Sequence, residues 1–126
     1  MANVADFYAV TDGKVKLQGV GPGGAKFWSF NVPNNTQTGQ LSILTFMMWR
    51  VEDADKLKMS VLVNNKTVFT FNATGTHRWP ATISEVMPAN ALKTGTGKPN
   101  TILFLKNSGG GYVEFSDVVI WFQAHV

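Results

Sequence analysis

The chain contains no cysteine, so it forms neither a disulfide bond nor a thiolate metal site. Charged residues are also scarce, at 15% of the sequence against about 25% in an average globular domain. No apolar run approaches the roughly 20 residues of a membrane-spanning helix. The opening MANVADFYAV lacks a basic start followed by an apolar run. We therefore expect no membrane insertion, and a protein that is cytoplasmic or exported without a cleaved signal peptide.

The remaining composition is that of one folded domain over residues 1–126. Hydrophobic residues make up 44% and aromatic residues 12% of the chain, and a domain of this length buries enough surface to fold without cross-links. The net charge is +3, but the basic residues are scattered along the chain and do not form the stripe typical of a nucleic-acid binder. Lys14 and Lys16 lie two residues apart, so they share one face of a strand. We expect that face to be solvated.

Short alternating stretches separated by turn residues predict β-strands throughout. The clearest element is Lys56–Phe71, where two alternating halves flank Asn64-Asn65, and asparagine accepts the positive φ of a tight hairpin turn. The almost wholly apolar segment Leu41–Val51 predicts a buried central strand. Thr101–Lys106 predicts a second buried strand. In the closing segment Tyr112–Val126, Asp117 interrupts the apolar pattern and indicates a β-bulge.

Two segments leave alternatives open. Ala81–Met87 is compatible with a strand or a short connector, and one helical turn is possible near Leu92. The whole pattern contains about eight or nine strands and almost no helix. It predicts an all-β fold, a two-sheet antiparallel β-sandwich with jelly-roll topology, because such sheets bury one face each by packing together.

Several stretches resemble one family of folds. They are LKMSVLVNNKTV, Trp79, ANALKTG, PNTILF and VEFSDVVIWF, which together lie within Leu41–Phe122. Their order is similar to that in the galactose-binding-like jelly roll. The resemblance implies a carbohydrate-binding module or a lectin-type β-sandwich. VLVNNKT also looks like a hairpin of small calcium-dependent bacterial lectins, but the carboxyl terminus FSDVVIWFQAHV lacks the calcium loop of those proteins.

The decapeptide FNATGTHRWP provides the best candidate for a ligand site. Trp79 offers a ring that can stack on a sugar, and Arg78, His77 and Asn72 offer hydrogen-bonding groups in a loop at the rim of the sandwich. Nearby loop residues such as Asn34 and Asn35 are candidate additions to this site. In the alternative interpretation Trp79 caps the core, while His77 and Arg78 are merely solvated.

Metal and catalytic motifs are weak. Glu52, Asp53 and Asp55 could contribute to a calcium site, but they lack the spacing of an EF-hand and are typical of a solvated acidic turn. The chain has only two histidines, His77 and His125, no cysteine and no GxSxG motif. We therefore expect no enzymatic activity and no cofactor.

The tryptophans inside predicted strands, Trp28, Trp49 and Trp121, are expected mostly in the core. One of them could instead lie on an exposed sheet face, as an oligomer interface or a flat platform for sugars. The leading hypothesis is a non-catalytic glycan-binding module that gains avidity as a homo-oligomer. The alternatives are a structural protein of a capsid, appendage or tail, and a small enzyme that uses His77.

Overall fold

A computed structural model describes residues 3–19, 24–52, 57–72, 80–95, 97–109 and 111–125. These residues form nine strands and no α-helix. The strands are β1 (Asn3–Thr11), β2 (Val15–Gln18), β3 (Ala25–Phe30), β4 (Ser42–Glu52), β5 (Lys58–Val63), β6 (Lys66–Asn72), β7 (Ala81–Met87), β8 (Asn100–Ser108) and β9 (Tyr112–His125).

The strands form two antiparallel sheets. The first sheet has the order β1-β9-β4-β7, and the second has the order β3-β8-β5-β6. The short strand β2 also belongs to the first sheet, where it pairs with β9 beyond one end of β1. Successive strands pass from one sheet to the other, except that β1 and β2 share the first sheet and the hairpin β5–β6 lies within the second. This alternation is the jelly-roll arrangement. The predicted all-β sandwich is confirmed.

The core lies between the inner faces of the two sheets, and aromatic rings fill its centre. Phe104 of β8 stacks on Phe115 of β9, with ring centroids 4.1 Å apart and planes 9° apart. Phe46 of β4 meets Phe104 edge-on at 5.2 Å. Because these rings come from opposite sheets, they join the two layers directly.

The predicted hairpin and bulge are both present. Asn64 and Asn65 have φ values of 50° and 66°, as a two-residue hairpin turn with positive φ requires. Asp117 has φ of 53°. Thr45 pairs with Val119, but Met47 pairs with Ser116, so β9 contains one extra residue at this point. The short polar side chain of Asp117 tolerates this backbone conformation.

Leu41–Val51 contains the expected central strand, since β4 lies between β9 and β7, but the expectation that it is buried on both faces is wrong. Leu44 and Phe46 point into the core, whereas Ile43 lies on the outer face and is 37% exposed. An almost wholly apolar strand is buried on both faces only where another layer of the protein covers its outer face. Thr45, Met47 and Trp49 on the same face are half-buried.

The tryptophans divide between the two environments. Trp28 packs against the core and meets Phe104 and Phe115 edge-on. Trp49 and Trp121 belong to the outer face of the first sheet, so the expectation that most tryptophans are core residues is wrong for these two. The indole of Trp49 donates a hydrogen bond to Ser116 Oγ at 2.6 Å, and that of Trp121 donates to Thr45 Oγ1 at 2.8 Å.

The two ambiguous segments are also resolved. Ala81–Met87 is the strand β7, which pairs with β4 along its whole length. Around Leu92 the chain forms turns and no helix, and the Leu92 side chain is buried against the core.

Candidate functional site

Three of the residues predicted to bind a ligand, His77, Arg78 and Trp79, lie outside the described residues. Asn72 is the last residue of β6, is exposed, and pairs with Lys58 at the start of β5. It therefore lies at the end of the second sheet where β5 begins.

Asn34 and Asn35 lie at the other end of the same sheet. They follow β3, whose last residue Phe30 pairs with Asn100, on the side where β5 ends. The length of β5 separates the two ends by roughly 17–20 Å. Asn72 and Asn34 therefore belong to different surfaces, and the binding roles of the predicted residues stay predictions.

Asn35 has a structural partner. Its Nδ2 donates a hydrogen bond to the His125 carbonyl at 2.7 Å, and the His125 N–H donates to the Asn35 carbonyl at 2.9 Å. The ring Nδ1 of His125 lies 3.0 Å from Gln37 Nε2. These contacts attach the β3–β4 connection to the end of β9. Asn34, unlike Asn35, lines a cavity.

A network of asparagine side chains shapes the loop next to that cavity. Asn100 is buried and makes three side-chain hydrogen bonds of 2.9 Å each. Its Oδ1 accepts from Asn64 Nδ2 and from the Lys93 N–H. Its Nδ2 donates to the Lys93 carbonyl. Asn64 also donates to the Ala91 carbonyl at 2.8 Å and accepts from the Thr101 N–H at 2.9 Å. The motifs VLVNN, ANALK and PNTIL thus meet in one place, which explains why they occur together.

The loop-end cavity lies beside this network and has a volume of about 300 Å³. Its lining combines lysine, asparagine and threonine side chains with Val32 and two glycines, and contains no aromatic ring. The lining residues are Asn31, Val32, Asn34, Lys93, Thr94, Gly95, Gly97 and Lys98.

The edge cleft is the second concave surface, with a volume of about 430 Å³. It opens on one side of the sandwich, where β2 at the border of the first sheet comes near β3, the edge strand of the second. The Phe27 side chain is 60% exposed, while Trp28 forms the inner wall. The lining residues are Thr11, Lys14, Val15, Lys16, Lys26, Phe27 and Trp28.

Aromatic rings hold two of the edge-cleft lysines in place. Lys14 Nζ lies 4.4 Å from the centroid of the Trp49 ring, and Lys16 Nζ lies 3.9 Å from that of Tyr112. A cation–π contact at an exposed site contributes about 0.5–1 kcal/mol. These contacts order the two side chains, but they direct the ammonium groups to Trp49 and Tyr112, which are not among the lining residues of the cleft.

The sequence analysis missed the edge cleft as a site. Its signals were present: Lys14 and Lys16 share a face, and Phe27 and Trp28 point in opposite directions. Only the pairing of β2 with β9, in the sheet opposite β3, brings these two segments to one side of the sandwich.

A third surface, the outer row, crosses the first sheet from edge to edge. Phe7 pairs with Trp121, Trp121 with Ile43, and Ile43 with Val86, so the four side chains are adjacent on the outer face. Phe7 is 56%, Trp121 40% and Val86 58% exposed. Neighbouring outward positions on these strands are uncharged as well: Ala5, Ala9, Thr45, Met47, Thr82, Ser84, Val119 and Gln123.

The acidic turn proposed for calcium lies mostly outside the described residues, which include the backbone of Glu52 but not Asp53 or Asp55. Within the described ranges, no group of three or more His, Cys, Asp or Glu side chains is placed to hold a metal ion. In that same part of the chain, no helix has the length and apolarity needed to cross a membrane.

No family model matches the chain, and no curated protein sequence does. Solved structures do match. A TM-score of 0.65 at 11% identity relates 97% of this chain to 13% of dimeric latent PorU from Porphyromonas gingivalis. A TM-score of 0.60 at 19% identity relates 96% of it to 19% of BuGH86 solved in complex with neoagarooctaose. The chain thus spans less than a fifth of either protein.

The carbohydrate-binding module CBM36, solved with calcium and xylotriose, aligns over 97% of this chain and 99% of its own chain, at 17% identity. Its TM-score of 0.46 is too low to support a conclusion about this chain. At such identities the similarities define the fold alone. That fold is the two-sheet antiparallel β-sandwich described above.

Proposed function

We propose that this protein is a non-catalytic glycan-binding module and that the edge cleft is its binding site. The observation that carries the proposal is the Phe27 ring, 60% exposed beside a concave surface lined by Lys14, Lys16 and Lys26. A sugar ring stacks its C–H face on such a ring, and its oxygen atoms accept hydrogen bonds from the lysines. Binding of this kind involves no chemical step.

The ligand class agrees with that of one fold neighbour, since BuGH86 was solved in complex with neoagarooctaose. The proposal rests on the cleft and not on that similarity. A single open site of this size binds weakly, so the protein would gain from presenting several copies of the cleft at once.

Replacing Phe27 by alanine is expected to weaken glycan binding about tenfold, because removing the stacking ring costs about 1–2 kcal/mol. The protein should stay folded, since the side chain is mostly in solvent. A glycan array identifies the ligand, and isothermal titration calorimetry measures the affinity.

Thr70→Ala is the control, because Thr70 is exposed on β6 and lies outside both cavities and outside the outer row of the first sheet. Its affinity should equal that of the wild type. If Phe27→Ala binds normally while Trp79→Ala does not, the ligand is held by the FNATGTHRWP loop, and the edge cleft is the wrong site.

The outer row supports a second candidate, an assembly role in which copies of this chain pack through the first sheet. Exposed contiguous apolar surface on a sheet typically marks an interface. Since the row and the outward positions around it carry no charge, two identical surfaces can meet without like-charge repulsion. Such packing would also make the glycan-binding module multivalent.

Trp121→Arg should raise the dissociation constant of the oligomer about thirtyfold, because an unpaired guanidinium in an apolar interface costs about 2 kcal/mol. Analytical ultracentrifugation over a range of concentrations measures this effect. Phe27→Arg places the same charge on the opposite sheet and should leave the oligomer intact. A wild-type protein that remains monomeric at high concentration would rule out the assembly role.

A further inference from the structure

The charge in the two cavities has only one sign. The edge cleft is lined by three lysines, Lys14, Lys16 and Lys26, and the loop-end cavity by two, Lys93 and Lys98. Neither lining includes an aspartate or a glutamate. In a chain with only 15% charged residues, five of the eleven basic residues line these two concave surfaces. The carboxylate next to them in the strand register is that of Glu114, opposite Lys16.

These lysines differ from the structural lysine of the fold. Lys106 is 1% exposed, and its ammonium group donates to the carbonyls of Gly19 at 3.1 Å and Gly109 at 2.6 Å. None of the five cavity lysines forms an ion pair with a carboxylate among the described residues. Their ammonium groups therefore have hydrogen-bonding capacity for a ligand, whereas that of Lys106 bonds to the backbone.

Donors dominate both linings. An ammonium group has three donors and no acceptor. A neutral sugar presents hydroxyl groups that both donate and accept, so it also needs acceptors, and the only side-chain acceptors in the linings are oxygen atoms of Asn31, Asn34, Thr11 and Thr94. Sulfate and carboxylate groups only accept, and their charge makes each hydrogen bond stronger.

The two cavities also lie along one strand. The edge cleft contacts β3 at Lys26–Trp28, and the loop-end cavity begins just after its end, at Asn31. Trp28 and Asn31 are three residues apart, which corresponds to roughly 10 Å in an extended chain. Since β3 is the edge of its sheet, an extended ligand can follow it and contact both cavities.

We infer that the ligand is an acidic glycan, carrying sulfate or carboxylate groups, which lies along β3 and contacts the lysines of both cavities. This inference rests on the proposed function and adds the chemical class of its ligand. A nucleic acid is the less favoured polyanion, because neither lining contains arginine, the side chain best suited to phosphate forks and base stacking.

The test uses pairs of polymers that share a sugar backbone, one charged and one neutral: dextran sulfate with dextran, and polygalacturonate with its methyl ester. Isothermal titration calorimetry at low and moderate salt should show binding to at least one charged polymer and at most weak binding to its neutral partner. The affinity should fall as salt rises, since the contacts are between exposed charges.

Lysine variants locate the ligand. Lys26→Gln in the edge cleft and Lys98→Gln in the loop-end cavity should each lower the affinity about three- to fivefold, as expected for one exposed charge pair. Lys26→Arg should retain binding because it keeps the charge. Lys66→Gln, at the exposed start of β6 outside both linings, should match the wild type.

The possible failures are distinguishable. Equal binding of a charged polymer and its neutral partner overturns the inference but leaves a glycan-binding module. A normal affinity in Lys26→Gln or Lys98→Gln overturns the placement along β3. If RNA of matched length and charge binds as well as the acidic polymers, the protein binds polyanions in general, and the inference of an acidic glycan is overturned. Failure of every glycan on the array, neutral or acidic, overturns the proposed function itself.

Discussion

Replacement of Phe104 by alanine is expected to lower the free energy of unfolding by about 4 kcal/mol, a large part of the 5–15 kcal/mol available to a domain of this size. Phe104 is fully buried and contacts rings from both layers: Phe115, Phe46 and Trp28. The truncation leaves a cavity between the sheets that neighbouring strands, fixed by their hydrogen bonds, cannot close. Urea denaturation followed by tryptophan fluorescence measures the loss.

Phe27→Ala provides the control for this experiment. Phe27 is the same residue type on the neighbouring strand, but it points outward, so its truncation should cost less than about 1 kcal/mol. Comparable losses in the two variants would contradict the placement of the core on the Phe104 side of the second sheet.

Asn100→Ala is expected to lower the free energy of unfolding by about 3 kcal/mol, because a part-buried backbone N–H and C=O lose their partners, which are atoms of the buried Asn100 side chain. Both groups belong to Lys93, which the Asn100 side chain contacts twice, and Asn64 loses one of its partners as well. Asn107→Ala on the same strand is the control. Its side chain is exposed and accepts a hydrogen bond from Ser60, so the change should cost under about 1 kcal/mol.

Urea denaturation again measures both variants. A loss for Asn100→Ala no greater than that for Asn107→Ala would show that the asparagine network does not hold the loop between β7 and β8. If the loop depends on the network, Asn100→Ala should also weaken any ligand contact made by Lys93 or Lys98, and Asn107→Ala should not.

Local sequence was sufficient for the elements whose signal is local. The Asn64-Asn65 turn could be predicted because asparagine accepts positive φ, and the bulge because Asp117 breaks a two-residue period. The number of strands and the class of fold followed from the same alternation, since strands with one apolar face need a second layer to cover it.

The burial of β4 could not be predicted in the same way. An apolar strand looks the same in sequence whether its second face is covered or open, and here Ile43 lies in a row that faces outward. The three tryptophans had the same ambiguity: Trp28 and Trp121 both lie in apolar strands, but only the sheet assignment shows that one faces the core and the other faces outward.

The candidate site was the least predictable feature. The sequence analysis grouped Asn72 with Asn34 because both belong to loops, and the strand register places them at opposite ends of a sheet. Lys14 and Lys16 are exposed, as expected for a solvated face, but the sequence did not show that the fold brings them beside Lys26 and Phe27. Sequence spacing describes neighbours within one strand and contains no information on which strands border the same opening.

By itself, then, the amino-acid sequence determined the strands, their turns and the need for two layers, because backbone dihedral preferences and side-chain alternation act over a few residues. Only the tertiary structure decided which apolar faces stay exposed and which lysines share a cavity. Those features depend on strand order and register, which are set by contacts between residues far apart in the chain.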